Sequence, residues 1–329
     1  MLKIPLTFVL ALLCSAALWS ADYSETTEKT FEIKGRPELM LRNADGIIEI
    51  TPVGGSTVQV KVTKQIRGAK DDAQAKKEAE RISIELEQIG NQIRVITHWP
   101  HEGFGIHIGR RPPSEVRFEI QTPPQSNVSA AVSDGELYVA GLIGSLDLHT
   151  SDGSISAKEL SGDLRLVASD GKIELKHSSG KIEMHVSDGD LLAENCSGSV
   201  RIQSGDGSVR LTGFDGEVEV SNADGNIEID GILKSMNGKV SDGSMTVRVA
   251  PGSVMQNSWT LRASDGSITV LLPEAFSADL DLSTSDGHMQ TDHPLLVSGY
   301  LSSHHLTGKL GEGGYMLQIK TSDGNIAIK

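Results

Sequence analysis

Apolar residues come in pairs two positions apart through the middle of this chain, and the pairs begin every nine residues. They are Leu137 and Val139, Leu146 and Leu148, Ile155 and Ala157, Leu164 and Leu166, Ile173 and Leu175, Ile182 and Met184, Leu191 and Ala193, Val200 and Ile202, Val209 and Leu211, Val218 and Val220, and Ile227 and Ile229. Polar or small residues separate and follow the members of most pairs. Alternation at period two marks a short strand with one buried face. Each pair is preceded by a glycine, and the glycines fall into two interleaved sets. Asp134, Asp152, Asp170, Asp188, Asp206, Asp224 and Asp242 stand 18 residues apart and are followed by Gly135, Gly153, Gly171, Gly189, Gly207, Gly225 and Gly243. Gly144, Gly162, Gly180, Gly198 and Gly216 keep the same period, offset by nine.

A strand of about five residues and a corner of about four, twice per 18-residue turn, stack into a parallel β-solenoid whose neighbouring coils lie ~4.8 Å apart. The expected fold is therefore all-β: a parallel β-solenoid, or β-helix, of 18-residue, two-strand coils. One corner reads as mostly apolar (Leu142, Leu160, Ser178, Cys196, Phe214, Ile232), the other as small or hydroxylic (Ser151, Ser169, Ser187, Gly205, Ala223, Ser241). An outward row, Asp147, Arg165, Glu183, Arg201 and Glu219, alternates in sign at every coil, as favourable pairing between stacked strands predicts.

The flanks are less regular. Before the repeat, the pattern predicts strands around Asn43-Ala44-Asp45-Gly46, one helix over 71–82, and two strands joined at Gly90-Asn91. Residues 22–125 are thus expected to form a β-rich N-terminal cap with one short helix, 126–258 the regular solenoid, and 259–329 irregular coils and a second cap. Residues 1–21 read as an export signal: Lys3, an apolar stretch Ile4–Leu18, then small residues. That stretch is short for a membrane span, so no membrane insertion is expected after its removal.

Charge and cysteines then narrow the partners. The formal net charge of −14 argues against nucleic acid, whose binders need a basic stripe. With Cys14 inside the signal, Cys196 is left alone and no internal disulfide can staple the fold.

Candidate chemistry is sparse. The repeated aspartates read first as corner-makers, closing Asx-turns beside glycines that tolerate left-handed backbone. Seven stacked carboxylates repel, so a calcium-binding ladder over Asp134, Asp152, Asp170, Asp188, Asp206, Asp224 and Asp242 is the alternative reading; its pattern departs from the calcium nonapeptide repeat, in which Asp follows Gly. Histidines gather in two stretches, His98, His101 and His107 beside Trp99 and Phe104, and His288, His293, His304 and His305, at spacings that match no metal motif. A polysaccharide-acting enzyme using these loop histidines is the second alternative. Trp99, Phe104 and Tyr138 are candidates for a local aromatic patch. No catalytic residue, cofactor or metal is otherwise expected.

The SDG/SG strand repeat, the helix-containing N-terminal piece, QTPP (121–124) and the closing GGYMLQIKTSDGNIAIK together resemble a bacterial β-strand-repeat family labelled "putative adhesin", a domain of unknown function. The resemblance covers roughly residues 30–329. It implies an exported or envelope-associated β-solenoid without established catalytic residues, periplasmic or extracellular, whose partner is an envelope protein or glycan. The expected function is a noncatalytic adhesin-like binding or scaffolding surface.

Overall fold

The alternation read from residues 137–229 is realised as parallel ladders with an 18-residue step. The computed structural model describes residues 21–99 and 112–329; the expected signal, apart from Ala21, and His101, Phe104 and His107 lie outside them. Among the described residues the protein is all-β with one helix, and its 24 strands join in one continuous hydrogen-bonded sheet.

The repeat comprises β7 (Asn127–Ala140), β8 (Ile143–Lys158), β9 (Ser161–Asp170), β10 (Ile173–Lys176), β11 (Ser179–Asp188), β12 (Leu191–Glu194), β13 (Ser197–Asp206), β14 (Val209–Asp224), β15 (Ile227–Asp242) and β16 (Met245–Val249). Leu146 stands beside Leu164, Leu164 beside Ile182, and Ile182 beside Val200. On the other face Ile155, Ile173, Leu191 and Val209 form the matching column. Every one of these side chains is buried, so the core is a set of apolar columns running the length of the stack.

The Asp-Gly steps are the corners of the repeat, lying inside β7 and β8 and between strands from Gly171 to Gly243. The glycines there hold φ between +118° and +150°, a region that L-residues rarely enter. Their second constraint is proximity: a Cβ on Gly171 would lie 1.8 Å from the carbonyl oxygen of Gly153, and one on Gly189 would lie 1.8 Å from that of Gly171. The expected Asx-turns are a correction. None of the seven aspartate carboxylates accepts a backbone hydrogen bond among those described; the coil-to-coil contacts are made by the residue after the glycine, as in Asp190 Oδ1 with the Ser208 N–H (3.0 Å) and Asn226 Oδ1 with the Ser244 N–H (3.0 Å).

At the apolar corner, Leu142, Leu160, Ser178, Cys196 and Phe214 are buried as expected, whereas Leu233 rather than Ile232 fills the last place. A register shift between β14 and β15 pairs Gly216 with Leu233, 17 residues on, and moves Ile232 aside. The residue before this corner is left-handed: Gly141, Glu159, His177, Asn195 and Gly213 have φ between +49° and +66°.

The N-terminal part contains β1 (Ala21–Glu32), β2 (Glu38–Pro52), β3 (Thr57–Ala69), α1 (Asp72–Arg81), β4 (Ser83–Ile89), β5 (Gln92–His98) and β6 (Ser114–Thr122). Asp71 caps α1 by accepting the Gln74 N–H at 2.8 Å, and Ala75 and Ala79 are fully buried. The structure departs from the sequence reading at β2. It is a single strand through Asp45-Gly46, in parallel register with β7, so that Asp45 stands beside Asp134 and Gly46 beside Gly135. The ladder therefore begins one coil before the regular repeat, across an insertion of residues 53–126. Along residues 46–52 of β2, β6 lies parallel and is continued antiparallel by β3 and β1; along residues 38–42, β5 lies parallel and is continued antiparallel by β4.

The C-terminal part comprises β17 (Trp259–Asp265), β18 (Ile268–Leu271), β19 (Ala278–Thr284), β20 (Met289–Thr291), β21 (Leu295–Leu301), β22 (His305–Leu310), β23 (Met316–Thr321) and β24 (Ile326–Ile328). Here spatial order departs from sequence order: β23 pairs with both β17 and β19, and β24 with both β18 and β20.

Candidate binding surface

One outer face of the stack carries the sign-alternating row, because residues three after each second-set glycine point outward at every coil. The expected neighbours are in register, Asp147 beside Arg165, Arg165 beside Glu183, Glu183 beside Arg201, and Arg201 beside Glu219. Arg165 lies 3.6 Å from Asp147 and 3.5 Å from Glu183, and Arg201 lies 2.7 Å from Glu219. Glu183 pairs most closely with Lys181 (3.1 Å), whose hydrogen bond, helped by Arg165 and Arg201, holds its carboxyl below the usual range. These pairs are half-exposed, and such pairs add at most about 1 kcal/mol each. Their effect is to leave a polar face whose charges are largely compensated within it.

That face is dimpled. A depression of about 390 Å³ is lined by Lys181, Glu183, Ser199, Arg201, Glu217 and Asn237 among others. Its neighbour, about 250 Å³, shares Glu183 and Arg201 and adds His185 and Gln203. A third, about 310 Å³, shares Arg165 and Glu183 and reaches Ser145 and Asp147. The fourth, about 270 Å³, shares Ser145 and Asp147 and extends to Asn127, Gln92 and Glu38. End to end they make one open strip from β2 to β15, roughly 34 Å at the spacing of stacked strands.

The aspartate column occupies a separate edge. Its register extends beyond the seven predicted members, from Asp45 at one end through Asp242 to Asp265, and glycine packing carries it on to Asp323 and Asp286. All eleven side chains are exposed. Desolvation raises the Asp206 carboxyl, and Asp188 and Asp224 raise it further; Asp242 is raised in the same order by desolvation, Asp224 and Asp265. Each coil contributes one carboxylate, and among the described residues no group of three or more His, Cys, Asp or Glu is placed to hold a metal ion.

The raised carboxyls set a direction for pH dependence. A carboxyl whose folded pKa exceeds its unfolded value contributes stability that is fully present below the unfolded pKa and lost as pH rises through the folded one. At pH 7 the raised carboxyls of Asp206 and Asp242 therefore disfavour the fold. Asp206→Asn is expected to raise Tm at pH 7 and to lose that advantage below about pH 4, in thermal unfolding across pH. A lower Tm at pH 7 for this variant, or a difference indifferent to pH, would show that neighbouring carboxylates do not repel.

The histidines are scattered. His98 Nε2 lies 3.1 Å from Glu85, His304 Nδ1 lies 2.8 Å from Ser303 Oγ, and His305 Nε2 lies 3.0 Å from Asp281. Burial works to raise the Asp281 carboxyl, but hydrogen bonds from Gln318 and His305 outweigh it and hold it low. Tyr138 is partly exposed and donates to Glu136, while Trp99 packs on the core, so these two make no shared platform. Cys196 is a free thiol, buried and held up in pKa chiefly by that burial. Sequence reasoning found the charged row in the middle of the strip but not its far end: Glu38 and Asn127 come from strands on either side of the insertion and Gln92 from within it, and only the in-register placement of β2 joins them.

No curated protein matches this chain. Among solved structures it is similar to a "putative adhesin" from Parabacteroides merdae, at 11% identity over 93% of this chain and 96% of that one, with a TM-score of 0.35. It is also similar to a "putative lipid binding protein" from Parabacteroides distasonis (11%, 92% and 96%, TM-score 0.34) and to a "putative adhesin" from Bacteroides fragilis (8%, 93% and 97%, TM-score 0.29). At such TM-scores the likeness carries no conclusion about activity. Among the described residues no helix is long and apolar enough to cross a membrane. The family model described as Toastrack DUF4097 matches residues 32–329, nearly all of the described strands, and the chain belongs to that family.

Proposed function

We propose that the protein is an exported β-solenoid of 18-residue, two-strand coils that acts without catalysis as an adhesin-like binding or scaffolding surface in the bacterial envelope. The observation that carries this reading is the strip on the outer face, in which each of four depressions shares lining residues with the next, Glu183 and Arg201, then Arg165 and Glu183, then Ser145 and Asp147. A surface repeated at every coil suits an extended polymer better than a compact ligand, because one contact can recur along both. The hydroxyls, amides and compensated charges of the strip suit a polar chain such as an envelope glycan. Export is supported by the pattern of residues 1–21, and a periplasmic or extracellular location follows from it.

Co-sedimentation of residues 22–329 with insoluble cell-wall glycan tests this. The unmodified chain is expected to pellet with the glycan, and Arg165→Gln combined with Arg201→Gln to lower its apparent affinity at least about tenfold while lowering Tm by only a few degrees, since each lost ion pair is worth at most about 1 kcal/mol. A chain that stays in the supernatant, or a variant that pellets equally well, would remove the strip from consideration.

A further inference from the structure

The coil made by β23 and β24 is the last in sequence and yet lies inside the stack. On one side it contacts β17 and β18, with Trp259 beside Leu317 and Ile268 beside Ile326; on the other it contacts β19 and β20, with Leu280 beside Leu317 and Met289 beside Ile326. The glycine stack gives the same order, since a Cβ on Gly324 would meet the Gly266 carbonyl oxygen at 1.8 Å and one on Gly287 would meet that of Gly324 at 1.7 Å. Leu317, Ile319, Ile326 and Ile328 are fully buried. Backbone bonds tie the coil on both sides: the Ile268 N–H donates to Asn325 at 2.9 Å, and the Ile326 N–H donates to His288 at 2.9 Å.

Chain up to Leu310 therefore builds two coils with a slot one coil wide between them, a gap of ~9.6 Å from two strand spacings. The coil that fills the slot is joined to Leu310 by the connection Gly311-Glu312-Gly313-Gly314-Tyr315, which is largely exposed. Three of its residues are glycines at positive φ, and a Cβ added at Gly314 would meet nothing within 4 Å. Five residues can extend to roughly 17 Å. Every contact in the slot is made by this segment's own side chains and backbone, so an identical segment from another molecule satisfies it equally well.

We propose that the β23–β24 coil is exchangeable and that two copies of this chain associate by trading it, with the glycine-rich connection as hinge. In the closed form each copy fills the other's slot, so no edge is added and the core columns stay continuous. Within one molecule the effective concentration of the segment is high, on the order of millimolar, so the exchanged form grows with protein concentration.

The test uses full-length chains that carry Cys196→Ala, to remove the native thiol. Asp281 and Gln318 are register partners on the outer face of β19 and β23, with Gln318 Nε2 2.7 Å from Asp281 Oδ2. Register partners on adjacent strands are at a spacing a disulfide can span. One copy carries Asp281→Cys, the other Gln318→Cys; a third chain carries both. The doubly substituted chain is expected to close a bridge within itself. After mixing, warming and oxidation, the two single variants are expected to yield a covalent heterodimer whose share of the protein increases about tenfold when the protein concentration is raised tenfold. A bridge that closes in the double variant while the mixed singles stay monomeric at every concentration would overturn exchange. Failure of the double variant to bridge would overturn the placement of β23 beside β19.

Discussion

Gly171→Ala is expected to cost more than about 4 kcal/mol and to leave the chain marginally folded or unfolded at 25 °C. Two separate effects add at this position. The backbone is held at φ +146°, where a side chain is strained whatever the space around it; that strain alone is worth about 1–3 kcal/mol. The added methyl would also sit 1.8 Å from the Gly153 carbonyl oxygen, and that oxygen belongs to the backbone of the preceding coil. Relief would require the two coils to part, which would break the ladder bonds on both sides. Gly252→Ala is the control, because Gly252 has φ +95° with nothing within 4 Å of the built Cβ, so only the conformational cost applies. Chemical denaturation should separate the two variants by at least about 2 kcal/mol. Equal losses would mean that glycine is present for its backbone freedom alone and that the close stacking of coils is not what fixes their spacing.

This changes the meaning of the Asp-Gly repeat. The glycine makes the corner and permits the contact between coils, while the aspartate beside it has an exposed carboxylate that takes no part in closing the turn. The 18-residue period, the inward columns and the sign-alternating row were all legible in the sequence, because each follows from a periodicity that one chain displays by itself. Three features were not. Glu159, His177 and Asn195 occupy left-handed positions that only Gly141 and Gly213 hint at, since an L-residue can be forced there by the coils on either side. The coil containing Asp45 and Gly46 is separated from its spatial neighbour by the cap insertion, and no period spans that distance. The order of the last coils is likewise invisible, because Asp286 precedes Asp323 in sequence while the latter packs nearer to Asp265. Pattern reading finds neighbours at a fixed offset, so a strand inserted out of order escapes it. The far end of the outer strip, with Glu38 and Asn127, depends on the second of these features, whereas its middle, from Asp147 to Glu219, is the row that the period itself displays.

Trp259→Ala is expected to destabilise the protein by about 3–5 kcal/mol, and to do so at one end. Trp259 is fully buried at the start of β17, its ring 5.5 Å from that of Phe276 and tilted by 48°, with its Nε1–H donating to the Lys234 carbonyl at 3.4 Å. It stands beside Leu317, so it forms part of the wall against which the inserted coil packs. Removal of the indole leaves a cavity that the strands on either side can close only by moving together, and their spacing is fixed by the glycine stack. Trp259→Phe keeps most of the volume and the ring contact, and is expected to cost only about 1–2 kcal/mol. In a stack where each coil touches only its neighbours, damage spreads through adjacent interfaces and fades with distance. Amide hydrogen exchange should therefore accelerate in β23 and β24 of the alanine variant while the amides of β9 and β11 keep their protection. Uniform acceleration along the chain would mean that the stack unfolds as one unit, with no end able to open alone. A local loss would place the weakest interface of the molecule where its sequence order and its spatial order part company.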